Sequence, residues 1–529
     1  MSMATPREIK KPSFDSLLEE ILSAAPPSFE TFVVEEPRLV FAGNFSSPDP
    51  KQGIQAYGPF SASTSPIRIG IVGTNDGVDA FKYFLGRAHT SITPGLNARG
   101  KQFDPIAIPD FPGVSANVGF RTPFLVESMH VRTIPARVLE LALNAATPQD
   151  QIKAVIDEVG KQLEALADLD PEPNVIVVVM PDLVERELRH LGNPFAKKAR
   201  LSFDEKVVVR LEQKRNKTGQ EFFDFAGDDR PPKEQGARNF HNAMKARAMA
   251  VGIPIQLMWQ ASLTRDGLSQ DPASMAWNLF TALFYKAGNI PWQLKKLPGD
   301  TCYVGIAFYM HGTGTHTTAQ TSLAQVFSGF GEGLVVKGGP ATIDEKLDRQ
   351  PHLAEVAAQQ LLTEALRIYS QHHDGPPKRV VVHKTSKYSP AELAGFRKAL
   401  GSIYRYDFLA LEKTDTRFMR VGSAPPLRGT VVTLAQRRHA VFTVGYIPYF
   451  RVYPGMRVPV PLEVVEHHGD SPAALVCEEL LALTKLNWNS CTFACSEPIT
   501  IHFARSVGHI LSELPADKPP PQSKYRFYM

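Results

Sequence analysis

The stretch FHNAMKARAMAVGIPIQLM, residues 240–258, joins a helical pattern to a short apolar run. We predict a helix over residues 234–251 and a strand over residues 253–258, because a glycine-containing turn separates the two patterns. His241 and Lys245 are four residues apart, so the helix places both side chains on one face, one turn from each other. An imidazole and an ammonium are therefore expected side by side just before a strand.

Two more polar residues follow this pair. Gln256 lies in the predicted strand, and Lys286 lies near the end of the next predicted helix, residues 273–287. Two ammoniums, an imidazole and a carboxamide would destabilise an apolar core. Around a phosphate, the lysines would supply positive charge while the glutamine and histidine donate hydrogen bonds. Taken singly, each residue also has an ordinary explanation, as an exposed helix position or a lysine at a helix C-terminus.

The sequence on the amino-terminal side alternates strands with helices. IRIGIVG, residues 67–73, and NVIVVVMP, residues 174–181, read as buried strands, and helical patterns cover residues 77–85 and 147–167. Strands that alternate with helices predict a parallel sheet of the α/β class.

The second half of the chain has a different order. Predicted strands at residues 301–310, 322–327 and 333–336 precede a long helix at 352–369, and a strand at 379–386 precedes a helix at 389–400. Three strands, a helix, then a strand and a helix is the order of an RNase H-like fold.

Composition sets limits on the function. The hydrophobic fraction of 43% and the net charge of +4 are ordinary for a globular protein, so charge alone does not indicate a nucleic-acid binder. Four cysteines in 529 residues are too few for a disulfide framework, and no apolar run is long enough to span a membrane. We therefore expect a soluble protein of the reducing cytoplasm. A basic stretch at 186–217 fits either a solvated surface or a surface that contacts a nucleic-acid backbone.

The spacing of His241, Lys245, Gln256 and Lys286 resembles the guide 5′-phosphate pocket of the MID domain of Argonaute proteins, in its histidine–lysine variant. VGIAFY resembles the first strand of the PIWI domain, RVVVHKTS its later catalytic strand, and TKLNWNS with PITIHFARSVG its C-terminal end. The resemblance runs from about residue 67 to the C-terminus. It implies a Rossmann-like MID domain at 61–290 and an RNase H-like PIWI domain at 291–529, after a lead-in segment at 1–60. That layout is similar to a short prokaryotic Argonaute.

PIWI nucleases hold two divalent metal ions with a carboxylate-rich tetrad. The resemblance places the tetrad positions at Ala307, Glu355, Thr385 and Arg505. Alanine cannot bind a metal, arginine brings positive charge to a cation site, and one glutamate cannot hold two metals. We therefore predict an inactive PIWI domain with no catalytic residues. Two alternatives stay open: an active guide-dependent endonuclease whose metal ligands lie elsewhere, and an unrelated α/β enzyme in which the four-residue pattern is coincidental.

The resemblance has further implications. Lys384, Lys485, Asn487 and Asn489 lie where PIWI residues face the guide or target, although ordinary surface or turn positions explain them equally well. The carboxylate of Met529 would help to hold a Mg²⁺ ion that bridges the guide's 5′-end phosphates, and no organic cofactor is expected. The implied partners are a guide RNA, a single-stranded DNA target and a separate APAZ-containing effector protein, whose effector domain is sirtuin-like, TIR or a nuclease. Defence against plasmids or phages is the implied role, with higher-order assembly on target binding.

Overall fold

The computed structural model describes residues 29–61, 65–96, 103–189, 223–224, 239–264, 271–297, 299–311, 318–327, 333–343, 350–373, 375–414, 416–418, 425–453, 458–515 and 520–529. Most of the basic stretch at 186–217 lies outside the described residues, so its two interpretations stay open. In the part of the chain that is described, no helix is both long enough and apolar enough to cross a bilayer.

The structure describes twelve α-helices; those that begin at residues 75, 148, 240, 272, 355 and 390 lie close to predicted helices, whereas the other six were not predicted. The twelve are α1 (Pro50–Tyr57), α2 (Asn75–Ala88), α3 (Ala136–Leu143), α4 (Pro148–Ala167), α5 (Asp182–Leu188), α6 (Phe240–Ala248), α7 (Gln260–Thr264), α8 (Pro272–Lys286), α9 (Glu355–His372), α10 (Pro390–Leu400), α11 (Ala473–Leu483) and α12 (Ile499–Leu511).

The strands fall into two large sheets and two small ones. They are β1 (Thr31–Val33), β2 (Leu39–Val40), β3 (Ser46–Ser47), β4 (Ile67–Gly73), β5 (Phe124–Leu125), β6 (Val131–Thr133), β7 (Val175–Met180), β8 (Phe223–Asp224), β9 (Ile255–Trp259), β10 (Gln293–Leu294), β11 (Thr301–His311), β12 (Thr318–Phe327), β13 (Gly333–Ile343), β14 (Pro351–His352), β15 (Arg379–Lys384), β16 (Arg405–Lys413), β17 (Thr430–Ala435), β18 (Arg438–Val441), β19 (Leu462–Gly469) and β20 (Ala494–Cys495).

The first large sheet is parallel, as the alternating pattern predicts. Its order is β5-β4-β7-β9, with β6 also paired to β4. Helices cover both faces: Phe81 of α2 and Trp277 of α8 pack on one side, while Val155 of α4 and Met244 of α6 pack on the other. A strand buried on both faces has to be apolar throughout, which explains why all six residues of β7 are buried and apolar.

The second large sheet has ten strands in the order β1-β17-β18-β19-β16-β15-β11-β12-β13-β14. β11, β12 and β13 form an antiparallel meander, and β15 and β16 run parallel to β11. Helix α9 lies in sequence between the meander and β15, and α10 lies between β15 and β16. The RNase H-like order predicted from the sequence is confirmed.

Helix α12 packs closely on β11 because of one glycine. A Cβ added at Gly305 would lie 2.1 Å from the carbonyl oxygen of Thr500, at the start of α12. Only a residue without a side chain lets the helix backbone approach the strand so closely. This contact fixes α12, which carries Arg505, against the centre of the sheet.

The described part of the segment before residue 60 is built into the second half of the chain. β1 pairs with β17, with Thr31 opposite Val432, and β2 pairs with β10. Glu36 forms ion pairs with Arg428 at 2.9 Å and Lys485 at 2.8 Å. The sequence predicted only a lead-in segment here, because these partners are about 250 to 450 residues away and the strands are two or three residues long.

Candidate nucleic-acid interface

Three neighbouring elements of the first sheet supply the candidate phosphate pocket. Helix α6 begins at the cap residue Asn239, whose side chain accepts hydrogen bonds from the backbone N–H groups of the first turn. It carries His241, which is exposed, and Lys245, which is buried. Gly252, with a left-handed φ of 84°, turns the chain from the end of this helical segment towards β9.

The four predicted pocket residues lie together. Lys286, in the last turn of α8, donates from Nζ to Oε1 of Gln256 on β9 at 2.6 Å. Lys245 lies close enough to both His241 and Lys286 for its ammonium to lower their pKa values. Lys245 Nζ also donates to the carbonyl oxygen of Tyr528 at 3.3 Å, so the end of the chain closes one side of the pocket.

Burial determines the electrostatics of the two lysines. Lys245 is 7% exposed and Lys286 is 1% exposed. Burial lowers the pKa of Lys245 to about 7, and burial together with the Lys245 ammonium lowers the pKa of Lys286 well below its ordinary value. Among the side chains that the structure describes, no carboxylate forms an ion pair with either lysine. Two buried amines that have no carboxylate partner among the described side chains are suited to an anionic ligand, which would favour their protonated forms.

The C-terminal tail joins the two halves of the chain beside this pocket. Val335 of β13 donates its N–H to the carbonyl oxygen of Ser523 at 2.7 Å, and the ring of Tyr525 stacks on that of Phe503 in α12. Tyr528 and Met529 are buried, at 1% and 3% exposure. Contacts of the tail with both β13 and Lys245 hold the second sheet next to the candidate phosphate pocket.

The protein oxygen atoms near this pocket are too few to coordinate a divalent ion by themselves. The oxygen atoms that the structure places here are Gln256 Oε1 and the Tyr528 carbonyl, and Mg²⁺ prefers about six oxygen ligands. The described residues contain no group of three or more histidine, cysteine, aspartate or glutamate side chains that could hold a metal. Phosphate oxygens and water would have to complete the coordination of any Mg²⁺ ion here.

Two of the four tetrad positions lie next to each other in the second sheet. Thr385 directly follows β15, and its N–H donates to the carbonyl oxygen of Ile306 at 3.2 Å, one residue before Ala307. Ala307 is 1% exposed and faces the core shared with α12. A methyl group and a hydroxyl thus occupy the two positions that the resemblance assigned to carboxylates of the tetrad.

The other two tetrad positions are engaged in ion pairs. Arg505 of α12 donates from Nη1 to Oε1 of Glu497 at 2.6 Å, and Glu355, at the start of α9, pairs with Lys398 of α10. Alanine, threonine and an ion-paired arginine do not fit a pair of divalent metals, because such ions need anionic oxygen ligands. The donor set at these positions therefore does not match that of a two-metal nuclease.

Two of the predicted contact residues are buried and form ion pairs. Lys384 Nζ lies 3.0 Å from Glu392 and between the rings of Phe308 and Tyr388, and its side chain has no exposed surface. Lys485 is buried just as fully, and its Nζ donates to the carbonyl oxygen of Pro48 at 2.5 Å as well as pairing with Glu36. The Lys384 contacts hold elements of the second half together, and the Lys485 contacts join the second half to the segment before residue 60.

The two predicted asparagines lie in a loop beside α8. Asn487 is buried and accepts a hydrogen bond from the N–H of Asn489 at 3.0 Å, which shapes the turn. Asn489 is exposed. Between them, Trp488 packs on Tyr285, the residue before Lys286. Trp488 thus holds the loop against α8 beside Lys286, while Asn489 is exposed at the surface.

Sequence reasoning missed two residues of these sites. Glu497, which holds Arg505, precedes α12 in the run CSEPIT and matches no motif. The Tyr528 carbonyl is a backbone group, for which side-chain patterns provide no signal. The segment YRFYM, residues 525–529, is rich in aromatic residues, and such a composition favours docking over exposure.

No protein-family model matches the chain. A curated relative, the protein argonaute of Aquifex aeolicus (strain VF5), is 22% identical over 286 residues, which cover 53% of this chain and 37% of the relative.

Solved structures of similar fold cover nearly the whole chain. Clostridium butyricum Argonaute bound to a guide DNA and a 19-mer target DNA matches 93% of this chain and 54% of its own, with a TM-score of 0.60 and 15% identity. A. aeolicus Argonaute matches 94% and 55%, with a TM-score of 0.52 and 15% identity. Drosophila Piwi matches 94% and 56%, with a TM-score of 0.53 and 13% identity. The chain thus spans about half the length of these proteins, and a little over a third of the curated relative.

Proposed function

We propose that this chain, which is homologous to the Argonaute proteins and has the fold of their MID and PIWI domains, holds the 5′-phosphate of a guide nucleic acid and pairs it with a complementary target. The observation that carries the proposal is the pair of buried ammoniums, Lys245 and Lys286, with no side-chain carboxylate among the described residues to neutralise them. A phosphate would supply the missing charge, and Gln256 and His241 would donate hydrogen bonds to its oxygens.

The test compares guides with and without the phosphate. Lys245→Met and Lys286→Met each remove one ammonium, and each should weaken binding of a 5′-phosphorylated guide by roughly tenfold or more. Binding of the same guide with a 5′-hydroxyl should change little, because that guide lacks the group that the lysines hold. Lys82→Met is the matched control, since Lys82 is an exposed lysine of α2 in the same half of the chain. If the variants lose affinity equally for both guides, or lose none, the lysines do not bind the 5′-phosphate.

The proposal continues with a target that is bound and not cut. At the tetrad positions, Ala307 and Thr385 lie side by side without a carboxylate, and Arg505 is paired to Glu497. The runner-up is a guide-dependent endonuclease with other metal ligands. Incubating the guide-loaded chain with a matched target in Mg²⁺ or Mn²⁺ separates the two. A cleavage product that disappears in the Glu355→Gln variant would favour the endonuclease.

The finer assignments rest on the resemblance to short Argonautes. We propose that the guide is RNA and the target single-stranded DNA. We also propose that a Mg²⁺ ion lies between the guide phosphates and the carboxylate of Met529. Asn489 is proposed to contact the backbone of the guide or target. The C. butyricum structure contains a guide DNA and a target DNA, so both kinds of guide belong in the assay. Sequencing the nucleic acid that co-purifies with the chain identifies the guide directly.

A protein that recognises a target strand without cutting it needs a second activity that responds to target binding. We propose that this activity belongs to a separate APAZ-containing chain with a sirtuin-like, TIR or nuclease domain, in defence against plasmids or phages, with further assembly on target binding. Co-expression with the neighbouring open reading frame, followed by assays of NAD consumption and DNA degradation with and without matched target, tests the partnership.

A further inference from the structure

The start of α6, the helix that carries His241 and Lys245, is held by a residue from the other half of the chain. The backbone N–H of Asn239, the residue that caps α6, donates to Oε1 of Glu513 at 3.1 Å. Glu513 lies two residues beyond the end of α12, and 274 residues separate it from Asn239. Helix α6 also packs against α12. The second half of the chain therefore reaches the first turn of the helix that carries the candidate phosphate ligands.

The Glu513 contact takes the place of one that helices often make within themselves. In a capping box, a glutamate or glutamine at the third helical position accepts the N–H of the cap residue. Helix α10 has this arrangement, since the N–H of Ser389 donates to Oε2 of Glu392 at 2.9 Å. In α6 the third position is Asn242, and its side chain hydrogen-bonds to His241. Glu513 supplies an acceptor for the cap N–H from the other half of the chain.

The position of the first turn of α6 determines where the pocket side chains lie. The Asn239 side chain accepts from the backbone N–H groups of His241 and Asn242, at 3.0 and 3.3 Å. Helix α6 has nine residues, and helices of that length are marginal without contacts to the rest of the protein. Fixing the cap therefore fixes the imidazole of His241, and through the helix also Lys245, one turn further on.

The chain that leaves α12 contacts α6 at two places. Glu513 accepts from the cap, and the Tyr528 carbonyl accepts from Lys245 Nζ at 3.3 Å. Between them in sequence, the carbonyl oxygen of Pro515 accepts from Nζ of Lys337 on β13 at 2.7 Å. The same stretch is therefore anchored both on the second sheet and on α6, so that the sheet sets the position of the helix.

We propose that Glu513 is a positioning residue of the phosphate pocket. From the second half of the chain, its carboxylate fixes the first turn of α6, so that His241 and Lys245 face the guide's 5′-phosphate together. Glu513 acts through α6 and not on the phosphate itself, because a carboxylate and a phosphate repel each other. The pocket is thus complete only when the second half of the chain is docked on α6. This inference rests on the proposed function, because it concerns the binding of a 5′-phosphorylated guide.

Two substitutions at Glu513 separate its hydrogen bond from its charge. Glu513→Ala removes the acceptor and should weaken binding of a 5′-phosphorylated guide RNA by about fivefold, the effect of one lost hydrogen bond. Binding of the same guide with a 5′-hydroxyl should not change. Glu513→Gln keeps an oxygen acceptor for the Asn239 N–H without the charge, and its affinity for the phosphorylated guide should stay within about twofold of that of the unaltered chain.

The control is Glu466→Ala, in the second sheet. Glu466 Oε2 also accepts a backbone N–H from a distant residue, that of Tyr388 at 2.9 Å, and both glutamates are partly buried. This variant should bind both guides as the unaltered chain does. Glu513→Asp keeps the charge but is one methylene shorter. It should lose the contact with Asn239, and it provides the same test if the alanine variant fails to fold.

A double-mutant cycle shows whether Glu513 acts through His241. His241→Ala removes the side chain that the first turn of α6 positions. If Glu513 places the imidazole, Glu513→Ala should weaken binding of the phosphorylated guide less in the His241→Ala background, by about twofold instead of about fivefold. A contribution to overall stability alone would give the same loss in both backgrounds and for both guides.

The outcomes separate this inference from the proposed function. If the unaltered chain binds the phosphorylated and hydroxyl guides equally, the proposed function fails. If it prefers the phosphorylated guide but Glu513→Ala keeps that preference unchanged, only the positioning role is wrong. Equal losses for the alanine and glutamine variants, or an undiminished loss in the His241→Ala background, lead to the same conclusion.

Discussion

The burial of Lys245 should make guide binding depend on pH. Its pKa is lowered to about 7 in the ligand-free structure, and a bound phosphate dianion would raise it again by supplying negative charge. Below pH 7 the lysine is protonated in both states, so this group adds no pH dependence there. Above pH 7, guide binding must take up a proton, and affinity falls as the pH rises, by at most about tenfold per pH unit for one proton.

Titration calorimetry at pH 8 in two buffers of different ionisation enthalpy measures this proton uptake. We expect a clear uptake with a 5′-phosphorylated guide and a smaller one with a 5′-hydroxyl guide. The Lys245→Met variant should show less uptake than the unaltered chain. Equal uptake by the two guides would mean that the proton goes to another group.

Burial of Lys286 should lower the stability of the ligand-free protein. In the unfolded chain a lysine holds its proton up to a pH of about 10.5, but burial lowers the folded-state pKa well below that. The unfolded state therefore binds more protons in the intervening range, and this lysine makes the ligand-free protein less stable at pH 7 than near pH 10. Lys286→Met removes the penalty. We expect the variant to be more stable at pH 7 by about 2 kcal/mol, although it binds guide less well.

Urea unfolding followed by fluorescence at pH 7 measures that difference, with Lys82→Met as the exposed control. A variant that is less stable than the unaltered chain at pH 7 would show that the ammonium is compensated in the folded state.

At the scale of single elements, the contact between β11 and α12 leaves no room for a side chain at residue 305. Gly305→Ala would place a methyl group 2.1 Å from the Thr500 carbonyl oxygen, so the helix must move away from the strand. We expect a loss of about 1–3 kcal/mol in the free energy of unfolding. Gly299→Ala is the matched control, because an added Cβ there meets no atom within 4 Å. Equal midpoints for the two variants in thermal unfolding would rule out a close approach at Gly305.

The strands with strong patterns were predictable from sequence, and the short paired strands were not. β4 and β7 are apolar runs bounded by glycine or proline, and both lie where the pattern predicts them. β12 and β13 were predicted too short, because their outer residues are polar or small and have no alternation. β1 was missed, since a three-residue strand pairs with a partner some 400 residues away.

Local spacing also predicted part of the candidate sites. His241 and Lys245 share a helix face by their four-residue spacing, and the approach of Lys286 to Gln256 follows from the neighbouring positions of α8 and β9. Side-chain environment was harder to predict. Lys384 looks like an exposed strand-end lysine in the sequence, yet it is fully buried against Glu392, eight residues further along the chain. A buried lysine requires a partner, and only the folded turn brings that partner near.

At the scale of the whole molecule, the C-terminal tail couples the phosphate pocket to the second sheet. Lys245 contacts the carbonyl oxygen of Tyr528, and a few residues earlier Ser523 accepts the N–H of Val335 on β13. A ligand that orders Lys245 should therefore also stabilise the docked tail. Because a ligand stabilises only the state that binds it, guide concentrations 100 times the Kd add about 2.7 kcal/mol to that state.

The last prediction follows from this coupling. Saturating amounts of a 5′-phosphorylated guide should slow amide hydrogen exchange at Val335, although this residue belongs to the second sheet and the phosphate pocket to the first. Strand β16, which the tail does not pair with, serves as the reference within the same molecule. In the Lys245→Met variant, saturated with guide at a higher concentration, the protection at Val335 should be weaker, because the link to the Tyr528 carbonyl is gone. If guide does not change the amide exchange rate of Val335 in the unaltered chain, the tail does not couple guide binding to the second sheet.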